Sequence, residues 1–492
     1  MARLDTSTVA SVPRDVATPN YLDDDITIGI VHFGVGNFHR AHQAMYVDRL
    51  LNAGGSRHWG ICGIGLLERD AGMRDALVGQ DGLYSLTLRH AEGTEETAVI
   101  GSIRKFLHAP DDPTAVLEQL AHPAVRIVSL TITEGSYVED PTKDRRAAHD
   151  PLVVEETAGG LASPRTAFGW IAAALRLRRD RGIAPFTVMS CDNVPGNGEV
   201  AKRSVVAVAR LADPALADWI AAEVAFPSTM VDRITPVTTQ AEVDAARTRL
   251  GVDDAWPVAC EPFTQWVIED HFPTGRPDYE SVGATLADDV HAYEAIKIRL
   301  LNGGHQAIAY LGQLAGHQFV HDALGDPRIA RFVRHYMEQE GVPTLHPPAG
   351  FDVPEYIDEL FRRFGNANVA DTLARLGTDA SNRIPTFVIP TLLDRLAAGS
   401  EARSGARVLA TWRRYEREAA SGSFHPIDES AELLMSAAEG EPLEFLRSLP
   451  TVAPLADSEA FVAAYLESVA ELDELGADGA LTRWASEGSG QR

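Results

Sequence analysis

The stretch "ITIGIVHFGVGNFHRAHQAMYVDRLLNAG" (26–54) constrains the fold more than any other part of the chain: a short β-rich apolar run closed by glycine leads directly into a helical pattern. The same alternation recurs. "WGICGIGLL" (59–67), "VRIVSLTIT" (125–133) and "FTVMSCD" (186–192) read as strands, with "DAGMRDALVG" and "TAFGWIAAALRLRRDRG" (166–182) as helices between them. Strands that alternate with helices make a mostly parallel sheet with helices on its faces. Past about residue 285 the strand signal fades, and "EAIKIRLLNGGHQAIAYLGQLAG", "IPTLLDRLAAG", "ARVLATWRRYEREAA" and "SEAFVAAYLESVAELDEL" are helical. The expectation is an α/β Rossmann-type N-terminal domain over 1–285 and a mainly α-helical C-terminal domain over 286–492. The turn-forming "FPTGRPDYESVG" (272–283) lies near the boundary and residues 1–25 form a polar lead-in.

Composition narrows the function. Of 492 residues 45% are hydrophobic, enough for a large buried core, and 70 acidic against 44 basic residues give a net charge of -26. That charge repels a phosphate backbone, so nucleic acid is not an expected partner. The three cysteines, Cys62, Cys191 and Cys260, are widely spaced with no CxxC pair, which fits a reducing compartment. No signal peptide and no apolar run of about 20 residues is present, so a cytoplasmic protein with no membrane partner is expected.

Five motifs carry chemistry. Gly34 and Gly36 stand at G-x-G spacing between a strand and a helix, where one glycine permits the turn, the next lets backbone approach a pyrophosphate, and the helix start attracts its charge. The third glycine of that fingerprint is missing, with His39 in its place. "GLLERD" ends the second strand: Asp70 there favours the ribose of NAD, whereas Arg69 would accept the phosphate of NADP, and an ordinary charged loop would look the same. "SCDNVPGNG" (190–198) puts Asn193 at a strand end, where open α/β sheets bind ligands, in a composition that a plain turn would also use. In "FPSTMVDRITP" Asp232 and Arg233 are adjacent, a pair that would also make a structural salt bridge. In "KIRLLNGGH" (297–305), at about 100° per residue, Glu294, His305 and Asn302 fall roughly 60°, 80° and 140° around the helix from Lys297. That sector is either a solvated face or the lining of a site. His32, His39 and His42 lack the further converging ligands that zinc needs, so no metal is expected.

Together "GVGNFHRAH", "VSLTITEGSY", "SCDNVPGNG", "MVDRITP" and "KIRLLNGGH", in this order, resemble the mannitol dehydrogenase family of polyol-specific long-chain dehydrogenases and reductases. The resemblance implies a metal-independent, NAD(P)-dependent polyol dehydrogenase, converting D-mannitol and NAD to D-fructose and NADH, and commonly a monomer. It implies Lys297 as general base, Asn193 and Asn302 as the pair that holds the oxyanion, and His305 as a substrate hydrogen-bonding residue. Glu294 matches an acidic residue linked to proton passage, while Asp232, Arg375 and Arg383 match contacts to polyol hydroxyls. Gly34, Val35, Gly36, Asn37 and Phe38 match the dinucleotide loop, with Arg69 and Asp70 at the adenosine ribose. Asn37 replaces a common glycine, Arg69 a common acid and Arg383 a frequent lysine, the last keeping charge but changing geometry.

The residue types suit the reaction. Oxidising a secondary alcohol removes the hydroxyl proton as hydride leaves carbon, and a lysine brought toward neutral pKa by burial does this without metal. Alternatives within the family are a hexuronate (fructuronate) reductase, whose substrate carboxylate would want Arg299, Arg375 or Arg383, and an arabinitol or sorbitol dehydrogenase. Outside it stand a zinc-dependent alcohol dehydrogenase and a catalytically silent nicotinamide-binding sensor.

Overall fold

The structure, a computed structural model, describes residues 1–138 and 147–487. The chain divides into two compact units, Met1–His291 and Ala292–Arg492. Eleven strands occur among the described residues: β1 (Ile28–Phe33), β2 (Gly60–Gly65), β3 (Tyr84–Arg89), β4 (Glu95–Ile100), β5 (Ile103–His108), β6 (Ile127–Leu130), β7 (Thr187–Ser190), β8 (Thr229–Asp232), β9 (Val258–Cys260), β10 (Gln265–Glu269) and β11 (Thr285–Ala287).

The main sheet of the first unit has the order β5-β2-β1-β6-β7 and is parallel throughout. Ile30–Phe33 of β1 lie in register with Ile127–Leu130 of β6 on one side and Ile61–Ile64 of β2 on the other. Alternation along each strand splits the apolar residues between two cores. Val31, Phe33, Ile64, Val128 and Val188 enter one, and Ile30, Ile61, Ile127 and Met189 the other. Each such side chain, fully buried, contributes about 1.5–3 kcal/mol, which is why runs so short hold as strands. The order of strands reverses between β1 and β6, and this switch point puts the loops after Phe33 and Leu130 side by side.

Two expectations need correction, the polar lead-in and the unbroken helix after the glycine turn, and further strands join those read from the sequence. Residues 1–25 are no loose polar lead-in, because Leu4, Val9, Val12 and Val16 pack with Leu83, Val99, Leu250 and Val252 in a small core of their own. β5 forms an edge of the main sheet although "IRKFLH" gives little apolar signal, and six further strands build two three-stranded sheets, β11-β10-β8 and β4-β3-β9. The helix after the glycine turn is broken at His42 (φ -121°, ψ -92°) into Asn37–Ala41 and Gln43–Asn52. The His42 ring is held on both sides at the break: Nε2 donates to the Gln265 carbonyl at 2.9 Å, which fixes the proton on that nitrogen, and Nδ1 accepts from the Gln43 amide at 3.1 Å.

The second unit is helical. Its centre is Gly303–Leu314, in which every residue from Gly303 to Gly312 is buried, as expected of a helix apolar on all sides. It packs against Arg403–Ala420 and the short Leu373–Leu376 helix. Among the described residues no helix is long and apolar enough to cross a membrane.

Candidate active site

In the first unit the glycine turn is built for close approach. Gly34 has φ +89°, and a Cβ there would sit 2.0 Å from the Thr131 carbonyl oxygen, so both backbone and space demand glycine. Thr131 Oγ1 donates back to the Gly34 carbonyl at 2.7 Å, locking the loops after β1 and β6 together. At Gly36 a Cβ would have no neighbour nearer than 3.9 Å, leaving an open cradle at the start of the Asn37–Ala41 helix. These features fit the pyrophosphate of a dinucleotide. Asn37, however, turns its amide away from the turn: Nδ2 donates to Pro236 O (3.0 Å) and Thr238 Oγ1 (2.9 Å), while Oδ1 accepts from Arg40 (2.7 Å). Its side chain braces the loop, leaving only its backbone beside the cradle.

His39, where the fingerprint has its third glycine, stacks on His32 with ring centroids 3.5 Å apart and planes 10° from parallel. Burial pushes His32 down to about 3 and His39 well below the usual imidazole range. Two neutral rings thus replace the usual close helix–strand contact. No three or more metal-ligating side chains converge among the described residues.

At the end of β2, Arg69 is exposed, and one oxygen of Asp70 accepts the backbone N–H groups of Leu66 and Leu67, both at 2.9 Å. Asp70 therefore shapes the turn with one oxygen. At the end of β7 the informative residue is Asp192, which reading by composition assigns to the turn. Its carboxylate accepts from Thr133 N (2.8 Å), Ile132 N (3.2 Å) and the Tyr137 hydroxyl (2.8 Å). Thr133 is held at φ +70°, rare for a β-branched residue. Burial raises the Asp192 carboxyl to about 6. Half-buried Asn193 follows directly, and Asn197 ties this turn to β8 through Asp192 O (3.0 Å) and Thr229 O (2.7 Å). Asp232 ends β8, buried. Arg233 beside it donates to the carbonyl oxygens of Ala41 (2.6 Å), Glu261 (3.0 Å) and Pro262 (3.4 Å), a structural anchor that ties the end of the Asn37–Ala41 helix to the loop after β9.

In the second unit the "KIRLLNGGH" run is not one α-helix. The α-helix His291–Ile296 passes into a π turn, Lys297–Asn302, before Gly303–Leu314 resumes α geometry. In a π turn the N–H of residue i+5 closes on the carbonyl of residue i, so Lys297 and Asn302 lie far closer around the axis than 140°. Lys297 is only 7% exposed. His305, a turn further on, packs its ring on Phe364 (4.3 Å between centroids). Burial, then the charges of Arg375, Arg363, Arg383 and Lys297, hold His305 well below its ordinary pKa, so it is neutral. Asn302 Oδ1 and His305 Nε2 are buried polar atoms with no partner in the chain. Glu294 is half-buried at the last α-helical turn before Lys297.

The glycine pair serves packing. A Cβ on Gly303 would stand 2.9 Å from the Tyr336 hydroxyl and 3.2 Å from the Phe387 carbonyl, and one on Gly304 would stand 2.2 Å from the Met337 methyl. The facing segment, Tyr336–Gly341, is itself a π turn, and a Cβ on its Gly341 would meet Leu300 at 2.8 Å.

The cations near His305 are individually held. Arg375 pairs side-on with buried Asp371 (Nε to Oδ1 2.6 Å). Arg383 donates to the carbonyls of Arg375 (2.9 Å) and Leu376 (3.2 Å). Arg363, unforeseen, is buried on the apolar stripe Val353, Tyr356, Ile357, Leu360, Phe364 of its helix. Its place on that stripe, a charge at the spacing of core residues, is the signal that would have found it.

A mannitol dehydrogenase Rossmann domain model matches residues 28–281, and a mannitol dehydrogenase C-terminal domain model matches 289–472. The chain is 48% identical over 402 residues to a mannitol 2-dehydrogenase from Cereibacter sphaeroides, covering 82% of this chain and 83% of that one. The Pseudomonas fluorescens mannitol 2-dehydrogenase, solved as a ternary complex with NAD and D-mannitol, superposes with a TM-score of 0.91 at 41% identity over 99% of this chain and 100% of that one. A D-sorbitol dehydrogenase in substrate-free form follows at TM-score 0.86 and 34% identity, over 98% and 100% of the two chains. With both halves matched in order, the chain belongs to the mannitol dehydrogenase family.

Proposed function

We propose that this chain is an NAD-dependent polyol dehydrogenase that interconverts D-mannitol and D-fructose without metal, with Lys297 as general base. The observation that carries the reading is the buried Lys297 on a π turn, with Asn302 one such turn away and neutral His305 beyond, where Asn302 Oδ1 and His305 Nε2 are buried polar atoms left for a ligand. The relatives named for mannitol 2-dehydrogenase support the substrate. Gly34, Val35, Gly36 and Phe38, the backbone of Asn37, and Asp70 would hold the dinucleotide, whose nicotinamide, when bound, accepts the hydride. Lys297 takes the hydroxyl proton, and Glu294 passes it toward solvent. Amide N–H groups of Asn193 and Asn302 stabilise the developing alkoxide, each contributing about 2.7–4 kcal/mol if they act as other oxyanion donors do. Asp232, Arg375 and Arg383 meet the remaining hydroxyls, and Asp371 holds the Arg375 fork at a set angle.

The state of the arginines counts against a uronate substrate. Arg375 is neutralised by Asp371, and Arg299 pairs with Asp394 at 2.7 Å and donates to Thr344 O at 3.0 Å. The deciding experiment is a set of initial rates with mannitol, arabinitol, sorbitol, fructose and fructuronate, each with NAD(H) and NADP(H). Mannitol and fructose with NAD(H) should give the highest kcat/KM, and a chelator should leave the rates unchanged. No turnover of fructose, or loss of activity on chelation, defeats the proposal.

A further inference from the structure

The second unit holds another cavity, of about 470 Å³, within the range of roughly 300–1,000 Å³ typical of small-molecule sites. Arg331, Arg395, Arg403 and Arg407 line it, with the Trp484 indole at its back. In a chain of net charge -26, this cavity has more lining guanidinium groups, four, than lining carboxylates, the three of Glu340, Glu401 and Glu487. None of these arginines belongs to the Lys297 site.

The site is built rather than incidental. Arg407 is 6% exposed, its guanidinium lies 5.1 Å from the centroid of the Trp484 ring, and its Nε has no hydrogen-bond partner in the chain. Trp484, itself buried, is fixed by Nε1 donating to Glu471 at 2.5 Å, so Arg407 rests on a rigid plane. Arg395 donates only to the backbone carbonyl of Glu401, at 3.4 Å, leaving its charge uncompensated by any carboxylate at salt-bridge distance among the described residues. Two carboxylates reach the arginines: Glu487, at the end of the Glu459–Glu487 helix, pairs with Arg407 and lies 3.8 Å from Arg403, and Glu467, which does not line the cavity, pairs with Arg403 at 3.2 Å. Glu340, on the wall, is already committed to the backbone N–H groups of Ser404 (2.5 Å) and Gly405 (2.9 Å). Of the lining acids Glu340, Glu401 and Glu487, Glu487 is the one at salt-bridge distance from the lining arginines among the described residues, and so the one that an incoming anion displaces.

From this geometry we propose that the cavity binds a small multivalent oxyanion, held by Arg395, Arg403 and Arg407 in exchange for Glu487. Forked guanidinium groups match phosphate and carboxylate oxygens alike, so the shared chemistry is a compact, multiply charged oxyanion. The test is calorimetric titration of the full chain, without polyol or nicotinamide nucleotide, at low ionic strength. Inorganic phosphate and citrate are the two probes, and the tighter one tells whether phosphate or polycarboxylate is the preferred class. Stoichiometric binding is expected, weakened about tenfold in Arg403→Ala by loss of a charge-assisted contact, weakened also in Arg395→Ala, and tightened in Glu487→Gln, which removes the competing carboxylate. Arg69→Ala, which alters the residue expected at the 2′-phosphate of NADP, should leave this binding unchanged. No heat with either probe, or binding indifferent to the Arg403, Arg395 and Glu487 substitutions, overturns the proposal. Arg403 and Glu487 are both partly exposed, so neither variant threatens the fold.

Discussion

Gly303→Ala tests the packing of the π turn most directly. Gly303 has ordinary helical angles, φ -61° and ψ -42°, so backbone preference alone favours alanine, by about 1 kcal/mol in a helix interior. The neighbours oppose it. The added Cβ would stand 2.9 Å from the Tyr336 hydroxyl and 3.2 Å from a backbone carbonyl at Phe387, and overpacking of this kind costs about 1–3 kcal/mol. The net expectation is a loss of about 1 kcal/mol, read as a melting temperature lowered by about 2–4 °C for a unit of this size. Because Asn302 is the preceding residue, kcat should fall several-fold as well. Gly304→Ala is the internal control: it gains the same propensity, but its neighbour is the tip of the flexible Met337 side chain, so stability should stay closer to that of the parent. Differential scanning calorimetry with steady-state rates reads both. A Gly303→Ala protein that melts higher than its parent with unchanged kcat refutes the claim that Tyr336 and Phe387 exclude a side chain there.

Lys297→Ala should lower kcat by about 10²–10⁴-fold while the dinucleotide still binds, measured by fluorescence titration; near-parental turnover removes Lys297 as the base. Asp192 gives a pH prediction with a definite sign. Its carboxyl is raised from 3.8 to about 6 in the fold, so its contribution to stability is full below pH 3.8 and is lost as pH rises through 6. Urea titrations should show the parent losing about 2.4 kcal/mol relative to Asp192→Asn between pH 4 and pH 7; equal slopes would mean that Asp192 does not titrate in this range. Arg69→Ala should reduce kcat/KM with NADP about tenfold more than with NAD, as expected for loss of a phosphate contact; an unchanged ratio assigns Arg69 to solvent.

Different features of the molecule were legible for different physical reasons. The turn at Gly34 reads clearly from sequence because strand, glycine and helix follow one another locally. The helices of the second unit read clearly because their apolar period is 3.6. β5 escaped because Arg104, Lys105 and His108 interrupt an edge strand whose pairing partner, β2, lies forty residues earlier. Asp192 was hidden by its setting, since aspartate beside asparagine, proline and glycine is what any turn contains, and only burial with three donors distinguishes it. In "KIRLLNGGH" the residues were readable and their arrangement was not, because projecting them at 100° assumes the α-helical spacing that the chain abandons at Lys297.

The paired π turns also bear on how this chain can be rebuilt. A π turn carries one residue more than the α-helical turn it replaces, so Lys297–Asn302 and Tyr336–Gly341 are two one-residue surpluses set against each other, Leu300 against Gly341 and Gly303 against Tyr336. Deleting any one residue from 298–301 would replace the π turn by an α-helical turn of nearly the same rotation, so Lys297 and His305 would keep roughly their relative angle, and the fault would lie in the seam, where Leu300 meets Gly341. Length, more than identity, is therefore the quantity to preserve, and a chimera that borrows one of these helices must borrow the other with it.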